Sequence, residues 1–79
     1  MKKLKFFTTE GCHLCEQAEE LLAVLQQKHM FNLDVIDIAA EQELVEKYGL
    51  SIPVLLSTEN KEELYWPFDV DEIVSLLDI

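Results

Sequence analysis

Two cysteines separated by two residues, Cys12 and Cys15, are the residues of this chain best suited to chemistry. They are its only cysteines, so a pair between them leaves no thiol over. They follow a short apolar segment and stand at the start of a helix-like pattern, which is typical of a thiol–disulfide redox motif. Because residues three apart are neighbours on a helix, this spacing brings the two sulfurs together on one face.

Cys12 is predicted to be the attacking sulfur and Cys15 the resolving one. Cys12 falls at or near a helix N-cap, where unpaired backbone N–H groups and the positive end of the helix dipole favour an anion. The thiolate is the nucleophile in disulfide exchange. We expect only a moderate preference for the Cys12 thiolate, because Glu16, Glu19 and Glu20 place negative charge nearby. Cys15, one turn deeper, would resolve the mixed disulfide.

Three further residues of the motif, Gly11, His13 and Leu14, are predicted to modulate it. His13, which is partly positive near neutral pH, can stabilise the Cys12 thiolate and make the disulfide more oxidising. The alternative for His13 is an exposed side chain with no role. Cys12, Cys15 and His13 cannot alone supply the four ligands of a mononuclear zinc site, so no metal site is predicted within one chain.

The composition indicates one globular domain, residues 1–79, with an acidic surface. The formal net charge of -10 argues against binding to nucleic acid or to anionic membrane surfaces and favours a basic protein partner. A solvated surface that promotes solubility is the simpler explanation for most of the acidic residues.

Met1-Lys2-Lys3 could begin a signal peptide, but Lys5 interrupts the apolar residues and no hydrophobic region develops. A cytoplasmic location is therefore expected. In that compartment a lone C-x-x-C is more often redox-active or metal-binding than a permanent staple.

The elements that position the cysteines are predicted from apolar spacing and turn residues. A strand at 4–8 is followed by a helix from 12 or 13 to 28, whose apolar residues form one buried stripe. A strand at 31–38, parallel to the first, and a helix at 39–48, ended by Gly49 in a left-handed cap, come next.

The remaining elements form a hairpin and a last helix. The third strand is predicted to begin at Pro53, and an antiparallel fourth strand covers 62–66. Asp69 and Glu72 have the spacing of a capping box before a helix that reaches Leu77. The order βαβαββα predicts an α/β fold.

Three segments carry a family resemblance: 11–15 after the first strand, 35–38 in the second, and 48–55 leading into the third. On these residues essentially the whole chain resembles the glutaredoxin and thioredoxin superfamily. Cys12-His13-Leu14-Cys15, together with the WPFD segment at 66–69, is similar to a small glutaredoxin-like subfamily. The resemblance implies a thioredoxin-like fold of the glutaredoxin type, a four-stranded mixed sheet with helices on both faces.

The resemblance also implies a cis peptide bond between Ile52 and Pro53, beside the Cys12 sulfur. In the family, the residue before this proline offers its backbone N–H and C=O to a bound substrate chain, a short case of strand addition. Ile52 and Pro53 are therefore predicted substrate-binding residues, and Asp69 stands in for the acidic residue before the last helix. Apart from the family, an ordinary trans proline at a strand start is the alternative.

The chain departs from the usual glutaredoxin pattern in three places. His13-Leu14 replaces the Pro-Tyr pair between the cysteines, no basic residue stands shortly before them, and the YWPF segment at 65–68 replaces a Gly-Gly element. The missing groups are those that hold the two carboxylates of glutathione in the family. We therefore expect inefficient glutathione-dependent catalysis.

The resulting functional prediction is a thiol–disulfide oxidoreductase that acts as a monomer on protein disulfides. No bound organic cofactor is implied, and electrons would come from a reductase, another thioredoxin-like protein or glutathione. One alternative is a non-enzymatic binding module in which two chains hold zinc or an iron–sulfur cluster through four thiolates. Another is an adaptor that uses the fold as a protein-binding surface.

Overall fold

The computed structural model describes residues 2–77, so the predicted domain range of 1–79 includes three positions outside them. The elements follow the predicted βαβαββα order, with one 3-10 helix added. The strands are Lys2–Thr8 (β1), Phe31–Asp37 (β2), Val54–Ser57 (β3) and Glu63–Tyr65 (β4). The helices are His13–Lys28 (α1), Gln42–Tyr48 (α2), Val70–Leu77 (α3) and the 3-10 helix Ile38–Ala40.

The four strands form one mixed sheet in the order β2-β1-β3-β4. β1 is parallel to β2, because α1 carries the chain across one face between them. β3 is antiparallel to both β1 and β4, so the predicted hairpin is present. In the centre, Phe6 on β1 lies opposite Val35 on β2 and Leu55 on β3.

Neighbouring residues of β1 point to opposite faces of the sheet and build two cores. Phe6 belongs to the larger core, which α1 and α3 cover with Ala18, Leu22 and Ile73 among others. Phe7 belongs to the smaller core with Ile38, Tyr48 and Val54. Helices therefore pack on both faces of the mixed sheet, as predicted for this α/β fold.

The predicted helix at 39–48 is wrong at its start, because the chain breaks it at Glu41. The Asp37 carboxylate accepts a hydrogen bond from the Ala39 N–H at 2.9 Å and begins a 3-10 turn. Such local side-chain bonds compete with regular helix. Glu41 is then extended, with φ -136° and ψ 126°, and α2 begins at Gln42.

Gly49 does not adopt the predicted left-handed cap, since its φ of -52° and ψ of -32° are right-handed. The chain instead tightens into a further turn, in which the N–H groups of Ser51 and Ile52 both donate to the Tyr48 carbonyl. β3 begins at Val54, one residue after the predicted Pro53.

The predicted capping box at the start of α3 is present. Asp69 Oδ1 accepts from the Glu72 N–H at 2.8 Å, and the Asp69 N–H donates to Glu72 Oε1 at 3.1 Å. Within residues 2–77, no helix combines the length and the apolar character needed to span a membrane.

Candidate functional site

A four-residue loop, 9–12, carries the chain from β1 to the start of α1. Gly11 turns it with a φ of +74°, in the left-handed region that glycine adopts without steric cost. A Cβ built on Gly11 would meet no heavy atom within 4 Å. The backbone conformation, rather than lack of space, therefore explains why glycine suits this position before Cys12.

Cys12 is the N-cap of α1, in extended backbone with φ -98° and ψ 105°. Its Sγ accepts a hydrogen bond from the backbone N–H of Cys15 at 3.1 Å, and its carbonyl accepts from the Glu16 N–H at 3.1 Å. The sulfur thus takes one of the helix N–H groups that lack an intrahelical partner. In the reduced protein this N–H would bind a Cys12 thiolate more strongly than a neutral thiol, because an anionic acceptor makes the stronger hydrogen bond.

Cys12 and Cys15 form a disulfide across the first turn of α1, with their Cα atoms 5.2 Å apart. Cys15 is only 2% exposed and belongs to the larger core. Cys12 is half-buried and packs at the edge of that core. Cys12 is therefore the more exposed of the two cysteines, and Cys15 lies almost entirely within the core.

A cleft of about 330 Å³ opens beside the two cysteines. Its lining residues come from β1, the loop, α1 and the end of β2, and they are Thr8, Thr9, Glu10, Gly11, Cys12, Cys15, Glu16, Glu19 and Asp37. Four of these side chains are carboxylic acids, and no lysine or arginine is among them. The cleft therefore carries a local negative charge next to the sulfurs.

Thr8, Thr9, Glu10 and Asp37 are cleft residues that the sequence analysis did not name, whereas Glu16 and Glu19 were expected near Cys12. Thr8 and Asp37 are paired at the carboxyl ends of the parallel strands β1 and β2. Since the carboxyl ends of parallel strands meet at one edge of a sheet, the predicted pairing contained the signal for Asp37. Glu20, which was expected to add charge near Cys12, does not line the cleft.

His13 and Leu14 lie outside the cleft, on the exposed side of the first helical turn. The His13 side chain is 93% exposed, and its Nδ1 lies 3.4 Å from Glu16 Oε2. Leu14 is 44% exposed. The His13 imidazole therefore lies beside Glu16 on the exposed side of the first helical turn.

The Ile52–Pro53 peptide bond is cis, which is the geometry that the resemblance implies. Pro53 is buried, and Ile52 is half-buried against both cores, the larger of which also contacts Cys12. The Ile52 N–H, which the resemblance implies is offered to a substrate, donates to the Tyr48 carbonyl at 3.0 Å in this structure. The Ile52 carbonyl accepts no hydrogen bond from residues 2–77.

Asp69, predicted as a substrate-binding residue, does not line the cleft. Its carboxylate and its backbone N–H are both used in the capping box of α3. A second cis bond, Trp66–Pro67, precedes it and was not predicted.

The turn that holds Ile52 is tied to β4 by a hydrogen-bonded group of side chains. The buried Tyr48 hydroxyl donates to Glu63, and the exposed Tyr65 hydroxyl donates to Glu63 Oε1 at 2.9 Å. Burial, and then the bond to Glu63, raise the pKa of Tyr48 to about 12. The hydrogen bond from Tyr48 lowers the pKa of Glu63. This link depends on two distant segments, so the sequence offered no signal for it.

Comparison with known proteins gives one family match: the family described as Glutaredoxin-like domain (DUF836) matches residues 3–78. A search of curated proteins found no match.

Several solved structures have the same architecture. Protein Ne2328 from Nitrosomonas europaea is 39% identical, with a TM-score of 0.81, and the match covers 96% of this chain and 91% of that one. Target protein XcR50 from X. campestris is 36% identical, with a TM-score of 0.76 and 95% of each chain covered. Thioredoxin 1 from Thermosipho africanus, only 14% identical, has a TM-score of 0.72 over 96% of this chain and 90% of its own. It shows the shared thioredoxin-like fold alone.

Proposed function

The chain belongs to the glutaredoxin-like domain family of the thioredoxin superfamily, and from this membership and the cysteine site we propose that it is a thiol–disulfide oxidoreductase. The observation that carries the proposal is the unequal placement of the two sulfurs. Cys12 is accessible and accepts an N–H at the helix start, whereas Cys15 is 2% exposed and within bonding reach of it.

The proposed reaction begins with the reduced protein. The Cys12 thiolate attacks one sulfur of a substrate disulfide, the substrate S–S bond breaks, and its electron pair leaves with the other substrate sulfur as a thiolate. A mixed disulfide between Cys12 and the substrate remains. The Cys15 thiolate then attacks Cys12 Sγ, which releases the second substrate thiolate and forms the Cys12–Cys15 disulfide. Two electrons have passed to the substrate.

A dithiol or thiol donor must return the protein to its reduced form, and the two cysteines alone carry the electrons in this cycle. We propose a protein reductase or another thioredoxin-like protein as the donor. Glutathione is a poorer candidate, because its two carboxylates would meet the carboxylates of the cleft without a lysine or arginine in the lining. The proposed substrates are disulfides of cytoplasmic proteins.

Trapping of the mixed disulfide tests this function. Cys15→Ser retains the attacking sulfur and lacks the resolving one, so it should accumulate a covalent adduct with a disulfide-containing protein such as insulin. Cys12→Ser is the matched control and should form none, since its remaining thiol is buried. In the presence of a dithiol, the wild type should accelerate the reduction of insulin, and neither variant should. Equal reduction by wild type and Cys12→Ser would contradict the proposal.

A further inference from the structure

We infer that the cleft beside the cysteines selects substrate disulfides flanked by lysine or arginine. The inference rests on the proposed oxidoreductase function and names the class of substrate that the site prefers. It depends on the charges of the cleft and on one buried hydroxyl. It depends also on the finding that no group of side chains among the described residues could hold a metal ion.

The carboxylates of the cleft come from three separate parts of the fold. Glu10 lies on the loop, Glu16 and Glu19 lie on α1, and Asp37 ends β2. Asp37 is partly satisfied by the Ala39 N–H, and Glu16 faces the exposed His13. Within residues 2–77, neither Glu10 nor Glu19 has a hydrogen-bond or ion-pair partner. These two carboxylates remain available for a cation brought by a substrate.

Thr8 supplies a second, independent sign of a ligand at the same place. It is only 8% exposed and lines the cleft, yet its hydroxyl has no hydrogen-bond partner among the described residues. No fully enclosed side-chain oxygen in residues 2–77 lacks a partner, so this hydroxyl keeps some exposed surface, on a residue that lines the cleft. Buried hydroxyls are normally paired, and this one can accept a hydrogen bond from an ammonium or guanidinium group.

The arrangement suits an organic cation better than a metal ion. In the described part of the chain, no three histidine, cysteine or acidic side chains come close enough together to hold a metal. The carboxylates instead surround a cleft of about 330 Å³ that both cysteines also line. A substrate sulfur bonded to Cys12 would bring its neighbouring side chains into this space, where a lysine or arginine meets the carboxylates and an acidic residue is repelled.

The net charge of -10 would also attract any basic substrate. The experiment must therefore distinguish the effect of the cleft carboxylates from that of the other acidic residues on the surface. The experiment uses two peptide probes, Lys-Cys-Lys and Gln-Cys-Gln. Both ends of each peptide are capped, and its cysteine is activated as a thiopyridyl mixed disulfide. Stopped-flow absorbance of the released thiopyridone gives the rate constant for the reduced protein with each probe. The ratio of the two rate constants cancels any change in the intrinsic reactivity of Cys12.

For the wild type at low ionic strength, we expect a ratio of about fivefold or more in favour of the lysine probe. The ratio should fall towards one in about 1 M salt, where the Debye length is about 3 Å. The double variant Glu10→Gln/Glu19→Gln should lower it about threefold. The matched control Glu20→Gln/Glu43→Gln has the same net charge, but neither residue lines the cleft, and it should keep the wild-type ratio.

A wild-type ratio near one, or the same fall in both double variants, would overturn the inference and leave the oxidoreductase function standing. Failure of the function itself looks different: neither probe would release thiopyridone in a manner that requires Cys12. The two failures are therefore distinguishable in one set of measurements.

Discussion

Gly11 shows how one backbone conformation positions the Cys12 sulfur. Its φ of +74° turns the loop so that Cys12 becomes the N-cap of α1. We predict that Gly11→Ala lowers the free energy of unfolding by about 1–2 kcal/mol, because a Cβ is disfavoured in the left-handed region while the surrounding space is open. Urea unfolding of the oxidised protein measures this loss.

Gly11→Asn is the control for that prediction, since asparagine tolerates the left-handed region better than alanine. It should lose less stability than Gly11→Ala. Equal losses in the two variants would show that the conformation is not the cause.

At the scale of single residues, local chemistry could be predicted from the sequence and long-range placement could not. The capping position of Cys12 and the shielding of Cys15 follow from their spacing on a helix, which needs no other part of the chain. Two roles were predicted for Asp69, helix capping and substrate binding, and the capping box uses the carboxylate that was expected to bind substrate. The N–H of Ile52, which was expected to bind substrate, donates to the Tyr48 carbonyl. This hydrogen bond depends on the turn after α2.

At the scale of elements, Tyr48 joins the end of α2 to β4 through Glu63. We predict that Tyr48→Phe lowers the free energy of unfolding at pH 7 by about 1–2 kcal/mol, because a hydrogen bond to a charged group is lost. Urea unfolding of the wild type and the variant measures the difference. Tyr65→Phe removes the exposed hydroxyl from the same carboxylate and should cost less.

The same contact gives the stability a defined pH dependence. The pKa of Glu63 is lowered in the folded state, so its stabilisation is present above the unfolded pKa and is lost as the pH falls through the folded one. The pKa of Tyr48 is raised to about 12, so its stabilisation is present below the unfolded value of about 10 and is lost as the pH rises towards 12. The gap between wild type and Tyr48→Phe should therefore shrink at both extremes; a constant gap would contradict the assignment.

The capping box of α3 allows the two roles of Asp69 to be separated. Asp69→Ala should lower the free energy of unfolding by about 1 kcal/mol, because the Glu72 N–H loses its acceptor. Its insulin reduction rate should stay near that of the wild type, since Asp69 does not line the cleft. Asp69→Asn, which can still cap, is the control for stability. A large loss of rate with unchanged stability would return Asp69 to the substrate site.

Elements with a strong apolar period were predictable, and those shaped by local polar bonds were not. The buried stripe of α1 predicted its extent, because that helix packs one face against the sheet. The prediction that a helix starts at residue 39 was wrong, because the Asp37 carboxylate starts a 3-10 turn and Glu41 then leaves the helical conformation. Apolar spacing contains no information about such a break.

At the scale of the whole molecule, the net charge favours a monomer over a dimer bridged by a metal ion or cluster. A formal charge of -10 on 79 residues opposes self-association. We predict a colourless monomer by sedimentation analysis and visible absorption, both in the reduced state and after incubation with iron and sulfide. A coloured dimer that bleaches with a chelator would instead support a cluster held by the cysteines of two chains.

The equilibrium between the Cys12–Cys15 disulfide and the dithiol tests the proposed function most directly. Wild-type protein would be equilibrated with a series of glutathione buffers, quenched with acid and alkylated to count its thiols. A single two-electron transition with a midpoint between about -180 and -270 mV is expected, the range of thioredoxin-fold oxidoreductases that act as reductants or isomerases. A pair that stays fully oxidised or fully reduced across the whole series would contradict the proposed function.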